Sequence, residues 1–327
     1  MMMQVTIEKW QGCNNTDYTT EEAAMVEAAR SVKSAAASTG KHVSVVVWFD
    51  SYRIYSNKTL NPSARNTAGI ACMNSGASHY LESSSSHLLK NAQGEPVLES
   101  FASLHVVDYQ RPEMRRYMRD HCLNMTRSGL VDGCGIDGSQ QRAGTPSIPG
   151  VAPGNATAWN TGKVCMMNGT TAAIGNGLVV GKMQWELGGS GGYANSIIQE
   201  GCDATNDTVN NLRAVAARSR ALGGTPLVYE CHTACDTSTT DGCDSNIAAF
   251  LAGAGPNAFW GCNGWVVPNE TSILGRWAPH LFERPLGEPL GDAVYDGATQ
   301  TWTRSFARGA SVSFNAATRK GHVQWGS

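Results

Sequence analysis

Short apolar runs alternate with longer stretches of helical pattern along most of the chain. The clearest run, residues 43–50, is almost continuously apolar, as expected of a strand that is covered on both faces. A helical stretch precedes it, because Thr19 and Glu22 stand at capping-box spacing before an Ala-rich pattern that ends near Gly40. Repetition of strand and helix predicts βα units around a parallel sheet.

Seven apolar runs are strand candidates for such a sheet. They are residues 5–10, 43–50, 104–108, 131–137, 178–183, 226–230 and 258–262. Helical patterns cover residues 19–37, 112–125, 159–173, 207–222 and 246–254. Residues 51–103 are predicted to be mostly loop, and a loop of that length in a compact domain usually carries function or is poorly ordered.

Two architectures fit this repetition, a (β/α)8 TIM barrel and an open doubly wound sheet. The GxGxxG turn that marks the open sheet is absent after the first strand, and the glycine-rich residues 187–192 are interpreted as a flexible active-site loop. We therefore predict an α/β protein with a (β/α)8 TIM barrel. A closed barrel needs eight strands, so we expect the eighth either before Val5 or between Trp265 and Val294.

The C-terminal residues 286–327 have a different pattern from the rest of the chain. Polar and apolar positions alternate in short runs that end in turn signals, at residues 294–297, 302–309, 312–314 and 323–325. This pattern predicts antiparallel hairpins. We expect a barrel over residues 1–285 and a short C-terminal antiparallel β extension over residues 286–327 that packs on it.

The composition narrows the classes of partner. The chain has 327 residues, of which 16% are charged, and a formal net charge of −2. This balance lacks the basic surface with which proteins bind nucleic acid. No stretch approaches the roughly 20 consecutive apolar residues that cross a bilayer. We expect a monomer that binds neither nucleic acid nor membrane and uses no cofactor.

Cysteines and glycosylation sequons favour a secreted or lumenal glycoprotein. Ten cysteines are spread along the chain without a CxxC pair, so the group Cys231, His232, Cys235 and Cys243 is interpreted as holding a Cys235–Cys243 disulfide rather than zinc. Seven Asn-x-Ser/Thr sequons occur, at Asn14, Asn57, Asn124, Asn155, Asn168, Asn206 and Asn269. The N-terminus lacks a signal-peptide pattern, so we expect either that a leader was removed or that the N-terminus is a trimmed or incomplete start. The alternative is a cytosolic protein with free thiols.

A carboxylate stands at the end of one predicted strand after another. These residues are Asp50, Asp108, Asp137, Glu186 and Glu230, with Glu8 near the end of the first strand. In a parallel barrel these ends lie on one face, where catalytic groups collect. Aromatic and imidazole side chains stand nearby, namely Trp48, Trp185, Trp260, Trp265, Tyr229 and His232. Glycoside cleavage needs one carboxyl group to protonate the leaving oxygen and a second as nucleophile or base, and aromatic planes bind sugar faces.

Each of these residues could also have a purely structural role. Asp137 stands among glycines that let a ligand approach, but it could also cap the following turn. For Asp108 we favour a role in capping the helix that Pro112 begins. Glu186 could form a buried ion pair, Glu230 could hold His232, and Glu8 could pair with Lys9 at the surface. Trp48 and Trp260 could pack between the barrel and its helices.

Several of these segments together resemble a known group of proteins. They are residues 47–51, Val107, Asp108, Pro112, Arg115 and residues 131–138, with a Gly-x-Pro loop at residues 91–97 before the aspartate strand. In that order they resemble hypothetical glycoside-hydrolase-like (β/α)8 barrels, best over residues 43–140. The resemblance implies a barrel that acts on a saccharide, with Asp137 as the catalytic position. A more distant resemblance to α-glycosidase barrels implies that the acid is Glu186 or Glu230.

The sequence therefore predicts a glycoside hydrolase that cleaves a poly- or oligosaccharide with two carboxylates. Asp137 would be the nucleophile or base, and Glu230 or Glu186 the general acid. The expected substrate-binding residues are Glu8, Trp48, Asp50, Asp108, Trp185, His232 and Trp260. One alternative is a non-catalytic glycan-binding barrel. Another is a metal-dependent hydrolase or lyase with a divalent ion on Asp50, His232 and Asp137, which no HExxH or HxH pattern supports.

Overall fold

The computed structural model describes residues 18–40, 43–54, 85–100, 105–138, 143–182, 196–200, 202–221, 228–233, 243–255, 258–262 and 284–326. The predicted strand at residues 5–10 lies outside this part of the chain. The chain divides into two compact units, residues 1–196 and residues 197–327.

Helices and strands alternate in the first unit. Its helices are α1 (Tyr18–Ser38), α2 (Pro112–Thr126) and α3 (Pro153–Ile174), and a 3-10 helix covers Ser85–His87. Its strands are β1 (Val46–Asp50), β2 (Arg53–Ile54), β3 (His105–Val106), β4 (Gly133–Asp137) and β5 (Leu178–Lys182). The predicted helices over residues 19–37, 112–125 and 159–173 are confirmed. Helix α3 begins earlier than predicted, at Pro153, because the fixed φ of proline suits the first helical position.

Three strands of this unit form a parallel sheet with β4 in the middle. β1 pairs with β4 so that Asp50 stands opposite Asp137. β5 pairs with the other edge of β4, and Gly181 stands opposite Ile136. All five residues of β4 are buried. The central strand thus fixes the register of both neighbours.

The predicted strand at residues 104–108 does not join this sheet. Only β3 forms there, and it pairs antiparallel with β2. The ladder ends at Val107, whose carbonyl oxygen accepts a hydrogen bond of 2.7 Å from the indole N–H of Trp159. The prediction of a strand for the parallel sheet at this position is therefore wrong.

Part of the segment predicted as loop, residues 85–100, packs against β3. The N–H of Leu89 donates to the carbonyl of Val106 at 2.8 Å, and the N–H of Val106 donates to the carbonyl of Val97 at 3.2 Å. Leu88, Leu89 and Val97 are buried. The long connection therefore contributes residues to the core of the first unit.

A disulfide and a row of methionines attach α2 to the sheet. Cys122 of α2 is bonded to Cys134 of β4. Met114, Met118 and Met125 of α2 are buried, at a spacing that places them on one face of the helix. Flexible thioether side chains fill irregular gaps in a core. The helix is thus fixed covalently and by packing to the central strand.

The second unit begins within β6 (Ser196–Glu200) and continues with further βα elements. These are α4 (Asn206–Ala221), β7 (Val228–Thr233), α5 (Asp244–Gly253) and β8 (Ala258–Cys262), and β7 and β8 are parallel. They confirm the strands and helices predicted in this region. β6 was not predicted, because its apolar residues are only Ile197 and Ile198 and give neither an alternation nor a long apolar run.

The C-terminal residues form a four-stranded antiparallel sheet in the order β12-β11-β10-β9. Its strands are β9 (Val294–Asp296), β10 (Thr301–Ser305), β11 (Ser311–Asn315) and β12 (Lys320–Gln324), and the sheet packs on α5. The indole N–H of Trp302 donates to Oδ1 of Asn206 at 2.9 Å. The Arg304 guanidinium donates to the carbonyls of Leu251 and Ala254 at 2.9 and 2.6 Å. The predicted C-terminal hairpins are confirmed.

Some of the described cysteines form disulfides, and one is a free thiol. Cys202 and Cys243 are also in disulfides, and Cys165 is free and exposed. Cys235 lies outside the described residues, so the Cys235–Cys243 pairing stays a prediction. In the part of the chain that the structure describes, no helix is long and apolar enough to cross a membrane.

Candidate active site

Charged residues end the three parallel strands at the carboxyl edge of the first unit's sheet. Asp137 ends β4, and Asp50 ends β1 directly opposite it. Lys182 ends β5 and follows Gly181, the residue that pairs with Ile136. Neighbouring strands lie about 4.8 Å apart. The register therefore places an acidic and a basic residue on the two strands that flank Asp137.

Asp137 is buried, and its main chain is held by hydrogen bonds. Its carboxylate oxygen Oδ1 accepts a bond of 2.6 Å from the N–H of Gly138, a local contact of the kind that a turn-capping role predicts. Its carbonyl oxygen accepts bonds from the N–H and the hydroxyl of Ser51, at 3.2 and 2.7 Å. Ser51 is itself fully buried. The end of β4 is therefore tied to the segment that follows β1.

Only glycine fits directly after Asp137. Gly138 has a φ of 62°, which L side chains rarely adopt. A Cβ at this position would lie 1.9 Å from Cε1 of Tyr52. The Tyr52 ring lies so close to the main chain that Gly138 cannot be replaced by a residue with a Cβ.

Three buried aromatic side chains lie next to this strand end. The indole of Trp159 meets the rings of Tyr52 and Tyr109 edge-on, with centroids 6.5 and 5.6 Å apart. The Tyr109 hydroxyl donates to the carbonyl of Ser51. Edge-to-face pairs contribute about 0.5–1.5 kcal/mol each beyond their area burial. The aromatic cluster therefore supports Ser51, which in turn holds the end of β4.

A buried lysine completes the cluster. Lys163 of α3 is 1% exposed, and its ammonium group donates a hydrogen bond to the carbonyl of Gly138. The Nζ atom lies 4.6, 4.9 and 5.9 Å from the ring centroids of Tyr52, Trp159 and Tyr109. Burial of an ammonium group is costly, and the carbonyl and the ring faces offset that cost. A positive charge thus lies beside the end of β4.

Asp108 lies in the turn before α2. Its Oδ1 accepts a hydrogen bond of 3.0 Å from the N–H of Gln110, and its Oδ2 lies 3.5 Å from Nε of Arg111. Burial raises the pKa of Asp108, against the hydrogen bond from Gln110 and the charge of Arg111, which lower it. The N-cap residue Arg111 makes no capping bond with its side chain. Asp108 therefore closes the turn in front of the helix instead of bonding the helix itself.

The remaining predicted site residues fall into two groups. Trp48 lies on β1, Glu230 and His232 lie on β7, and the half-buried Trp260 lies on β8. Glu230 and His232 are two positions apart on this strand. Glu8, Trp185 and Glu186 lie outside the described residues. The structure thus brings Asp50 and Asp137 together and leaves the acid unassigned.

The sequence interpretation missed the buried residues that support Asp137. Lys163 carried a signal, because it stands on the apolar face of its helix, four positions after Trp159 and three before Met166. A charged residue on such a face is almost never buried without partners. Ser51 and Tyr109 carried no comparable signal, since their contacts join segments that are far apart in the sequence.

Parallel strands with a buried carboxylate at a carboxyl end are the arrangement of a large class of glycoside hydrolases. The chain belongs to hypothetical glycosyl hydrolase family 15, whose model matches residues 41–310. The resemblance that residues 43–140 predict is thereby confirmed and extends over most of the chain. The prediction of a glycoside hydrolase is confirmed at the level of the family.

Solved glycoside hydrolases are among the similar structures. The glycoside hydrolase domain of PelA from Pseudomonas aeruginosa is 13% identical, with 67% of this chain and 78% of that chain covered and a TM-score of 0.42. Ega3 from Aspergillus fumigatus, in complex with galactosamine, is 16% identical, with 70% and 77% covered and a TM-score of 0.41. The cycloalternan-forming enzyme from Listeria monocytogenes is 13% identical, with 76% and 23% covered and a TM-score of 0.48. No curated protein matches the sequence.

Proposed function

We propose that this chain cleaves a poly- or oligosaccharide, with Asp137 as the nucleophile or general base. The observation that carries the proposal is a buried carboxylate at the carboxyl end of a parallel strand, with Asp50 at the paired position of the next strand. Membership of a glycosyl hydrolase family supports a glycosidic bond as the target. Bonds from Ser51 and Gly138 hold the reacting residue, as precise attack requires.

The second carboxyl group of the proposed mechanism is Glu186 or Glu230. This acid protonates the glycosidic oxygen while Asp137 attacks the anomeric carbon or deprotonates the water that attacks it. A carboxyl separation of about 5 Å gives retention, and one of about 6.5–9.5 Å gives inversion. The anomer that forms first, observed by proton NMR, distinguishes the two.

We also propose that the parallel strands belong to one (β/α)8 barrel over residues 1–285, with residues 286–327 as its C-terminal extension. The parallel pairings around β4 and between β7 and β8 support this arrangement. β6 supplies a strand that the sequence patterns did not show. The expected sugar-binding residues of this barrel remain Glu8, Trp48, Asp50, Asp108, Trp185, His232 and Trp260.

We propose a secretory location and a monomeric glycoprotein. The Cys122–Cys134 disulfide supports an oxidising compartment, where such bonds persist. The sequon residues Asn155 and Asn168 are exposed on α3. Mass spectrometry of the non-reduced protein from a eukaryotic host detects the disulfides and the N-linked glycans. Size-exclusion chromatography with light scattering measures the oligomeric state.

The central test is a digestion screen with a catalytic variant. The wild type and Asp137→Asn are incubated with nitrophenyl α- and β-glycosides and with a panel of polysaccharides. We expect the wild type to release nitrophenol or reducing sugar, and the variant to lose about 10³-fold or more in kcat. Turnover by Asp137→Asn at the wild-type rate would contradict the proposal. Sugar binding without any cleavage by the wild type would favour a non-catalytic glycan-binding barrel.

A further inference from the structure

Lys163 contacts the candidate nucleophile through one intervening residue. Its ammonium group donates to the carbonyl of Gly138, and the N–H of the same residue donates to Oδ1 of Asp137 at 2.6 Å. Both polar main-chain groups of Gly138 are therefore engaged. One bond leads to a buried cation and the other to the carboxylate.

We propose that Lys163 is a positioning residue of the active site, which orients the Asp137 carboxylate and keeps it ionised. This inference rests on the proposed role of Asp137. The lysine acts through Gly138, whose main chain it fixes. Its buried positive charge also favours the charged carboxylate, which is the form that attacks an anomeric carbon or takes a proton from a water.

The surroundings of Lys163 fix its ammonium group in place. The rings of Tyr52, Trp159 and Tyr109 surround Nζ, and these rings pack on one another edge-on. The indole of Trp159 is held by its bond to the Val107 carbonyl. Because the side chain is confined in this way, its charge stays at one position and acts on the end of β4 at a fixed distance.

Other ionisable residues stand on the elements next to Asp137, and a charged group near a carboxylate changes its ionisation. Among the described residues they are Asp50 on β1, Tyr52 after β1, Tyr109 after β3, Lys163 on α3 and Lys182 on β5. The contribution of Lys163 must therefore be measured by its own substitution.

A purely structural lysine would only support the packing of α3 on the sheet. That role predicts a loss of stability in any variant at this position, without a change in the ionisation of Asp137. The positioning role predicts that removal of the charge raises the pKa of Asp137. The two roles are separated by a titration that needs no substrate.

The experiment is a carbon-13 NMR titration of protein labelled at the aspartate carboxyl carbon. The resonance of Asp137 is the one missing from Asp137→Asn. We expect Lys163→Met to raise the pKa of Asp137 by about 1 or more, because an opposite charge nearby is removed. Lys163→Gln, which keeps a hydrogen-bond donor, gives the same readout if the methionine variant does not fold. Lys163→Arg, which keeps the charge, should leave the pKa of Asp137 close to its wild-type value.

The matched control is Lys33→Met at the opposite end of β4. Lys33 bonds Oδ1 of Asp132 at 2.7 Å, so its removal also takes a lysine contact from this strand. We expect this variant to leave the titration of Asp137 unchanged. An unchanged pKa in both Lys163→Met and Lys163→Gln, or an equal rise in Lys33→Met, would overturn the inference. Turnover by Asp137→Asn would instead contradict the proposed function, so the two failures are distinguishable.

Discussion

An aspartate and a lysine lie at each end of β4, but the lysine makes a different contact at the two ends. At the amino end, the Asp132 carboxylate accepts a bond of 2.7 Å from Lys33 on Oδ1 and one of 2.7 Å from the N–H of Val45 on Oδ2. At the carboxyl end, Lys163 donates to the main-chain carbonyl of Gly138, the residue after Asp137. Both oxygens of Asp132 therefore link separate segments of the chain, whereas the bonds of Ser51 and Lys163 at the other end go to main-chain carbonyls.

This difference distinguishes a structural carboxylate from the one that we propose to be reactive. A carboxylate that is bonded by an ammonium group and an amide is stabilised where it is, and its bonds are lost if it moves to a substrate. At the carboxyl end, Oδ1 of Asp137 accepts only a local bond from the N–H of the next residue among the bonds described above, and Ser51 and Lys163 bind main-chain carbonyls there. The comparison thus supports catalysis at the carboxyl edge, where active sites of parallel βα proteins lie.

The sharpest way to break the comparison is to neutralise each aspartate in turn. We expect Asp137→Asn to lower kcat by about 10³-fold or more with little change in stability, since the amide keeps the shape but cannot attack. Asp132→Asn should keep kcat within about 3-fold and lower the free energy of unfolding by about 1–2 kcal/mol, because it weakens a partly buried ion pair. Steady-state kinetics and urea unfolding measure both. Equal kinetic losses in the two variants would contradict the division of roles.

The backbone support of Asp137 can be broken at Gly138. Gly138→Ala places a methyl group against the Tyr52 ring and an L side chain at positive φ, so we expect a loss of about 4 kcal/mol in unfolding free energy and a large loss of kcat. Gly129→Ala is the matched control, since Gly129 has a φ of 69° but open space around a Cβ. It should lose only about 1 kcal/mol and keep its activity. A similar loss in both variants would show that backbone strain, and not the contact with Tyr52, is decisive.

The middle of β4 is held by the disulfide to α2. Replacement of Cys122 and Cys134 by serine removes a link across a sequence separation of 12, and we expect a loss of about 3 kcal/mol in unfolding free energy. The kcat of the folded variant should stay close to that of the wild type, because the bond touches neither end of the strand. Chemical unfolding and kinetics measure the two quantities. A kcat loss that exceeds that of Gly138→Ala would contradict this separation.

The elements with strong local patterns were predictable from the sequence. Pro112 and the regular spacing of buried methionines define α2, and the near-continuous apolar run defines β1. Strands β10 and β11 alternate, with Trp302, Val312 and Phe314 buried between polar neighbours. Local periodicity is enough in these elements, because each one buries a face that its own residues specify.

The pairing of β3 and the support of Asp137 were not predictable, because they depend on distant partners. The run at residues 104–108 has the composition of a buried strand, yet the Trp159 indole takes the carbonyl at which the ladder would continue. The bond between Lys163 and Gly138 spans 25 positions, and the one between Tyr109 and Ser51 spans 58. The register that brings Asp50 to Asp137 also follows only from the folded sheet. The candidate residue could be found from its strand and Lys163 from its place on an apolar helix face, but the contacts that join them could not.

The smallest expected effect tests a third aspartate, Asp108, which accepts a hydrogen bond in the turn before α2 and whose pKa is raised by burial. The unfolded chain releases this proton near the ordinary value of 3.8, before the folded protein does. Wild-type stability should therefore fall relative to Asp108→Asn as the pH rises above that value, and the difference should stop changing with pH below it. The asparagine keeps an acceptor for the N–H of Gln110. Urea unfolding at a series of pH values measures the difference, and a relative gain of the wild type with rising pH would contradict a carboxylate that burial disfavours.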